Sequence, residues 1–276
     1  MQHSSFERPG AGGEIRQVKI GAILPARSQA REFAWNGAEA RRRLIHGFDS
    51  RNASSRTFNL IRSKLVSLYR ERAWRTLGIV SATPDVGKSF ISANLAAVMS
   101  RDPRFETYLM DLDLRRATIR DIFGIETQEG IVEYLENSDF AAAMPGFAPQ
   151  GEDLVIIPSV VSSVHSGELL ASDRATTLFN AIRDSDERKF FICDLPPVFA
   201  NDDASIIMES LQGYVIVAQD GKTTQREIEA VVEMLGIERL AGVVLNKYRG
   251  GLVSEGYGIE DRYAQYYSNS GDEPED

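Results

Sequence analysis

The chain has little cysteine, little histidine and no long apolar run, and each shortage excludes a class of protein. Cys193 is the single cysteine among 276 residues, so no disulfide forms within the chain, and a reducing cytoplasm is expected. Its apolar neighbours predict a buried, unreactive thiol. The three histidines lack metal-ligand spacing. No apolar run approaches the roughly 18 residues of a membrane span, and the first residues lack the apolar segment of a secretory signal.

Acidic residues outnumber basic ones, giving a net charge of −9, but the charges are unevenly distributed. Residues 1–75 contain 15 Lys+Arg and 6 Asp+Glu. A basic leading segment on an acidic body predicts contact with an anionic membrane surface or an acidic partner, and a solvated arm is the alternative. The acidic body offers no footprint for nucleic-acid phosphates, so no nucleic acid partner is expected.

Short apolar segments alternate with helical patterns over most of the chain. This alternation predicts an α/β fold, a doubly wound and mainly parallel sheet with helices on both faces. Strands are predicted at 77–81, 107–111, 154–158, 190–194, 214–218 and 241–246. Helices are predicted at 58–69, 88–100, 117–123, 130–137, 167–182, 203–210 and 224–235. A ligand of such a sheet binds at the carboxyl ends of its strands.

Composition divides the chain into three parts. Residues 1–55 are polar, basic and interrupted by Gly and Ser, which predicts a partly disordered leader. Residues 56–250 carry the alternating pattern and form the predicted domain. Residues 251–276 are rich in Gly and Tyr, end in acidic residues, and are expected to be a flexible tail.

The most informative motif follows the first predicted strand. Ser81-Ala-Thr-Pro-Asp-Val-Gly-Lys-Ser89 matches a phosphate-binding P-loop except at Ala82, where the full pattern has Gly. Backbone N–H groups of such a loop and of the following helix attract phosphates. Lys88 is predicted to reach the β- and γ-phosphates and Ser89 to ligate Mg²⁺. The predicted nucleotide-binding residues are Thr83, Pro84, Asp85, Val86, Gly87, Lys88, Ser89, Phe90 and Asn246. A chance Gly-Lys-Ser in a turn is the alternative.

Carboxylates at the ends of two predicted strands complete this site. Asp111 and Asp113 end the second strand on the same side, because side-chain direction repeats every two residues. Asp194 ends a four-residue apolar run, which is a Walker B pattern. The predicted metal ligands are Ser89, Asp111 and Asp194, and the predicted catalytic residues are Lys88, Asp111, Asp113 and Asp194. Any one Asp alone could instead cap a helix or form a turn.

Asn246 ends the last predicted strand. Its side-chain amide has the donor and acceptor that a purine base edge requires. A turn-forming Asn at a strand end is the alternative reading of this residue.

These motifs together resemble the bacterial tyrosine kinases of capsule and exopolysaccharide synthesis. The resemblance covers residues 56–267 and is carried by the motifs at 82–89, 111–116 and 192–197. It implies an ATP-dependent protein-tyrosine autokinase that uses ATP and Mg²⁺. The implied phosphate acceptors are tail tyrosines, namely Tyr257, Tyr263, Tyr266 and Tyr267. Aromatic packing of these residues is the alternative.

The same resemblance implies partners and a location. The expected partners are the cytoplasmic segment of a membrane polysaccharide co-polymerase, further copies of the chain in a nucleotide- or phosphorylation-dependent homo-oligomer, and a cognate tyrosine phosphatase. The expected location is cytoplasmic, at the inner face of the membrane through a partner. Ring-forming relatives carry Glu-x-x-Arg-x-x-Arg before the first strand, where this chain has Arg56, Asn59 and Arg62.

A non-kinase P-loop ATPase, or an ATP-binding scaffold that regulates a membrane export complex, is the alternative function. Partitioning and division-site ATPases share the loop and the sheet. They place a Lys directly after the first Gly of the loop, where Thr83 stands in this chain. A catalytically inactive paralogue that acts by binding alone is a further possibility, which the intact Lys88 and the three carboxylates oppose.

Overall fold

In the computed structural model, which describes residues 23–136, 144–162 and 166–248, the chain folds around one eight-stranded sheet. In chain order the strands are β1 (Arg31–Phe33), β2 (Thr76–Val80), β3 (Glu106–Asp111), β4 (Phe147–Pro149), β5 (Leu154–Ile157), β6 (Lys189–Asp194), β7 (Gly213–Gln219) and β8 (Leu240–Asn246). Their spatial order is β1-β4-β5-β3-β6-β2-β7-β8. Neighbouring strands pair in parallel, except that β4 and β5 are antiparallel.

Nine α-helices of the described residues cover the two faces of this sheet. They are α1 (Gly37–Arg42), α2 (Arg56–Arg72), α3 (Lys88–Ser100), α4 (Ile119–Phe123), α5 (Ile131–Glu136), α6 (Ser166–Leu170), α7 (Asp173–Arg183), α8 (Asp203–Met208) and α9 (Gln225–Leu235). Side chains of α1–α4 pack into one apolar cluster and those of α5–α9 into another. None of the helices in the described ranges has the length and apolar character needed to cross a bilayer.

The predicted fold class is confirmed. All six predicted strands form, and their ends differ from the prediction by no more than one residue. The central strands are mostly apolar between their end residues and are buried on both faces, which is why their sequence pattern is a nearly continuous apolar run and not an alternation. Cys193 lies in β6 as a fully buried free thiol, as predicted.

The prediction of one helix over 167–182 is wrong. Two helices, α6 and α7, occupy this region, because Ser172 begins the second one. The Ser172 side chain accepts a hydrogen bond from the Ala175 N–H, which is the contact of a helix N-cap. Ser172 and the acidic Asp173 after it are a helix-start signal that the apolar spacing concealed.

The described part of the predicted leader belongs to the domain. Residues 23–55 contain β1 and α1, so the expectation of a partly disordered leader does not hold for them. Trp35 is buried and packs against Phe48 and Phe123. Residues 1–22 and the tail 251–276 lie outside the described residues, so those parts of the division stay predictions.

Replacing Trp35 tests whether this segment is part of the core. Trp35→Ala is expected to lower the free energy of unfolding by about 3–5 kcal/mol, because it leaves a large cavity beside Phe48 and Phe123. Leu60→Ala is the matched control, since Leu60 is 74% exposed. Urea denaturation measures both, and equal small effects would contradict the described packing.

Candidate functional site

Three neighbouring strands bring the site residues to one level of the sheet. Asp194, the last residue of β6, pairs with Asp111 at the end of β3 and with Ile79 near the end of β2. The chain leaves β2 through residues 81–87 and enters α3 at Lys88. The phosphate-loop motif and the carboxylates therefore meet at the carboxyl edge of the sheet, where ligands of parallel sheets bind.

Backbone carbonyls of the loop are engaged by other parts of the chain. On one side, the N–H groups of Val198 and Phe199 donate to the carbonyl oxygens of Ser81 and Ala82 over 2.8 and 3.2 Å. Within the described ranges, the N–H groups of 83 and 85–87 donate to no other group. These N–H groups are the ones with which a P-loop binds phosphate.

On its other side the loop contacts the end of β8. Asn246 Nδ2 donates to the carbonyl oxygen of Val86 over 2.8 Å. Gly87 has a φ of +92°, and a Cβ at this position would lie 2.2 Å from Asn246 Nδ2. Both the conformation and the contact require glycine at position 87.

Lys88 lies between two carboxylates. Its Nζ is 3.4 Å from Asp113 Oδ2 and 3.7 Å from Asp194 Oδ1. All three side chains are buried. Ser92, one helical turn after Lys88, donates from its hydroxyl to Asp194 Oδ1 over 2.9 Å. Lys88 therefore offsets only part of the negative charge of a cluster that also contains Asp111.

Asp111 is fully buried, and one of its two carboxylate oxygens accepts a hydrogen bond. Its Oδ2 accepts a hydrogen bond from the Ile119 N–H at the start of α4 over 2.9 Å. Burial, followed by the nearby Asp194 carboxylate, raises the pKa of Asp111 well above its usual range. Burial also raises the pKa of Asp194, although Lys88 opposes this shift. The environment of both carboxyl groups therefore favours their protonated form or the binding of a cation beside them.

The oxygen atoms at this position fit a divalent metal ion. Asp111 Oδ1 and Asp194 Oδ2 are buried and have no hydrogen-bond partner among the described residues. The Ser89 hydroxyl is held nearby in the first turn of α3 and accepts a hydrogen bond from Thr118 Oγ1 over 2.8 Å. Carboxylate and hydroxyl oxygens are the ligands that Mg²⁺ prefers.

The structure brings together most of the predicted site residues but not all of them. Thr83 to Ser89, the three aspartates and Asn246 lie around one loop. The ring of Phe90 packs against Phe58, with ring centres 6.1 Å apart, so its side chain faces the apolar layer. The amide of Asn246 contacts the loop, and its predicted contact with a base stays a prediction. Tyr257, Tyr263, Tyr266 and Tyr267 lie outside the described residues.

Several polar contacts at the loop were not predicted. Ser92 has a sequence signal, since residues four apart share a helix face and Ser92 follows Lys88 at this spacing. Arg116 Nη1 contacts Asp85 Oδ1 at 2.7 Å, and this guanidinium lowers the pKa of Asp85. Lys222 and Lys247 also reach the loop. Arg116, Lys222 and Lys247 lie far from the loop in the sequence, and no spacing rule predicts contacts over such separations.

A comparison with protein families identifies this arrangement. The family described as the CobQ/CobB/MinD/ParA nucleotide binding domain matches residues 77–263. The chain belongs to this nucleotide-binding family. The match begins in β2 and includes the loop, the three aspartates and Asn246.

Individual relatives confirm the resemblance to bacterial tyrosine kinases. Tyrosine-protein kinase etk of Escherichia coli (strain K12) is 30% identical over 190 residues, which are 67% of this chain and 25% of the relative. Tyrosine-protein kinase YwqD of Bacillus subtilis (strain 168) is 28% identical over 235 residues, which are 83% of this chain and 97% of the relative. This chain therefore spans about a quarter of the length of etk but nearly all of YwqD.

A solved structure supports the same fold. The crystal structure of the chimerical protein CapA2B2 superposes with a TM-score of 0.65 at 24% identity, covering 82% of this chain and 96% of that chain. At this identity the likeness establishes the shared architecture of the sheet and its helices.

The buried Asp111 carboxylate should reduce stability. In chelator and without nucleotide at pH 7, Asp111→Asn is expected to raise the free energy of unfolding by about 1–3 kcal/mol, because a neutral amide removes the cost of burying or protonating a carboxylate whose pKa is raised by burial. Its carbonyl can still accept from the Ile119 N–H. The measurement is urea denaturation over a series of pH values.

The pH dependence of this gain follows from the direction of the pKa shift. The folded-state pKa of Asp111 is raised, so its protonated form is favoured by folding, and stability falls as the pH rises from the unfolded-state pKa through the folded-state pKa. The gain from Asp111→Asn should therefore shrink toward pH 4 and below. A gain that is constant with pH, or a loss at pH 7, would contradict a raised folded-state pKa of Asp111.

Proposed function

We propose that the chain is an ATP-dependent protein-tyrosine autokinase that regulates capsule or exopolysaccharide synthesis and export. The observation that carries this proposal is the position of Lys88 beside Asp113 and Asp194, at the end of a loop with free backbone N–H groups. The relatives named tyrosine-protein kinases support the same reaction for this chain.

The loop and Lys88 bind and orient the phosphates. Backbone N–H groups of the loop hold the non-bridging oxygens, and the Lys88 ammonium neutralises charge that develops on the transferring group. Ser89, Asp111 and Asp194 would hold Mg²⁺, which supplies further charge neutralisation when bound. Phosphoryl transfer depends mainly on position and electrostatics, and these residues supply both.

Asp113 accepts the proton of the attacking tyrosine. A tyrosine hydroxyl has a pKa near 10 and is neutral at pH 7. As its oxygen bonds to the γ-phosphorus, the bond from phosphorus to the β–γ bridging oxygen breaks and ADP leaves with that oxygen. The hydroxyl proton passes to a carboxylate. Asp113 suits this role because the other two carboxylates, Asp111 and Asp194, have the oxygens without a partner among the described residues, and these are assigned to the metal ion.

The acceptors in this proposal are Tyr257, Tyr263, Tyr266 and Tyr267. Each phosphate adds a charge of about −1.5 to −2, which on an acidic tail repels neighbouring copies and can dissociate an oligomer. The partners are the cytoplasmic segment of a membrane co-polymerase, further copies of the chain and a tyrosine phosphatase. Through the co-polymerase the protein works at the cytoplasmic face of the membrane.

Replacement of Lys88 tests the reaction. Protein expressed in a bacterial cytoplasm together with the co-polymerase segment is expected to carry phosphate on tail tyrosines. Lys88→Met should carry none, because the substitution removes the ammonium group and keeps most of the unbranched apolar stem. Phosphopeptide mass spectrometry measures both, and Lys64→Met is the control, since Lys64 is exposed on α2.

Two results would oppose this proposal. Unphosphorylated tyrosines in the wild type with the segment present would favour a non-kinase ATPase or an ATP-binding scaffold. Phosphotyrosine that persists in Lys88→Met would indicate that a kinase of the expression host modified the tail.

Asp113 can be separated from nucleotide binding. Asp113→Asn is expected to slow phosphotyrosine formation by about 10²–10⁴-fold, the usual effect of losing a general base. Affinity for MgADP should change little, since the amide keeps the size of the carboxylate. Single-turnover kinetics and fluorescent-nucleotide titration measure the two effects, and a parallel loss of both would assign Asp113 to nucleotide binding.

A further inference from the structure

Two consecutive residues at the end of β8 hold two consecutive carbonyl groups of the phosphate loop. Asn246 Nδ2 donates to Val86, and Lys247 Nζ donates to the carbonyl oxygen of Asp85 over 2.7 Å. Lys247 Nζ also lies 3.3 Å from Gln219 Oε1 on β7. The outer turn of the loop is thus tied to the end of the edge strand β8 and, through Lys247 and Gln219, to the neighbouring strand β7.

The turn that Lys247 holds has an unfavourable backbone conformation. Asp85 has a φ of +63° and Lys247 a φ of +56°, in the left-handed region where residues other than glycine are disfavoured. Such conformations persist only where surrounding contacts determine them. For Asp85 these contacts are Lys247 on its carbonyl oxygen and Arg116 on its carboxylate.

We propose that Lys247 is a positioning residue for nucleotide binding, which holds the left-handed turn at Asp85 and so keeps the phosphate loop in its binding conformation. Lys247 acts on the loop backbone and not on the nucleotide. The inference rests on nucleotide binding by this family and not on tyrosine transfer, so it stands or falls independently of the kinase reaction.

Lys222 is a natural comparison. Its Nζ also approaches the loop, 3.4 Å from the carbonyl oxygen of Pro84. Pro84 is not among the residues in the left-handed region, so Lys222 holds no strained turn. Both lysines bring one positive charge to the same side of the loop. A general electrostatic attraction for phosphates would therefore affect both lysines alike, whereas positioning of the turn belongs to Lys247.

Lys247 lies directly before the C-terminal segment, so its contact with the loop connects the nucleotide site with that segment. Tyr248 follows it directly and is 58% exposed, and the predicted acceptor tyrosines come after this point. If the contact favours nucleotide binding, thermodynamic linkage requires that nucleotide favours the contact by the same factor. Nucleotide binding is thereby coupled to the conformation of the chain where the C-terminal segment begins.

Titration with fluorescent ADP and Mg²⁺ tests the proposal. Lys247→Met keeps the aliphatic stem and should raise the Kd by about two- to tenfold, the range for loss of one hydrogen bond. Lys247→Arg keeps a cationic donor and should restore most of the affinity. Lys222→Met should change the Kd by less than about twofold, and thermal unfolding would confirm that each exposed substitution leaves the fold intact.

A double-mutant cycle with Asp85 separates positioning from charge. Glycine adopts the left-handed conformation freely, so in an Asp85→Gly background the effect of Lys247→Met should fall to less than about twofold. Hydrogen exchange over residues 242–248 should slow on addition of MgADP in the wild type and not in Lys247→Met.

Three results would overturn the proposal. Equal losses for Lys247→Met and Lys222→Met would indicate a general charge effect. An undiminished Lys247→Met effect in the Asp85→Gly background would place the lysine on the nucleotide itself. Unchanged affinity of Lys247→Met would show that the contact has no part in binding.

Discussion

The unequal charge balance around Lys88 is the constraint on which the rest of the site depends. One ammonium group lies among the buried carboxylates of Asp111, Asp113 and Asp194, and the pKa values of Asp111 and Asp194 are raised. This arrangement disfavours the folded state, and apolar layers on both faces of the sheet must offset it. A further cation would relieve the excess negative charge, which supports the proposal that Mg²⁺ binds at this cluster.

The phosphate loop complements this cluster with charge of the opposite sign. Its carbonyl groups accept hydrogen bonds from residues after β6 and at the end of β8, and the N–H groups of 83 and 85–87 have no acceptor in the part of the chain that the structure describes. In the proposed function, phosphate oxygens bind to the loop and a metal ion binds to the carboxylates. A nucleotide with its metal ion would then supply the partners that both the loop and the carboxylates lack. The buried carboxylates lower the stability of the fold, but they also hold charged groups in fixed positions, which is the electrostatic preorganisation that phosphoryl transfer requires.

The sequence predicted the parts of this structure that local patterns determine. Apolar runs ending in Asp111 and Asp194 marked the central strands, and Gly87-Lys88-Ser89 marked the loop. The three-residue strands β1 and β4 were not predicted, because they are too short to show a periodic pattern. The burial of Trp35 and the contact of Lys247 with Asp85 were not predicted. Both depend on segments that lie far apart in the sequence, and local patterns carry no information on such contacts.

Transfer between two copies of the chain tests the central claim most directly. ATP labelled at the γ-phosphate is incubated with wild-type protein, the Lys88→Met protein as acceptor and the cytoplasmic segment of the co-polymerase. The account predicts labelled phosphotyrosine on the Lys88→Met chain, because the wild-type site supplies the phosphoryl group and the variant supplies only its tail. Label recovered solely as inorganic phosphate, with both chains unmodified, would contradict the account and identify an ATPase.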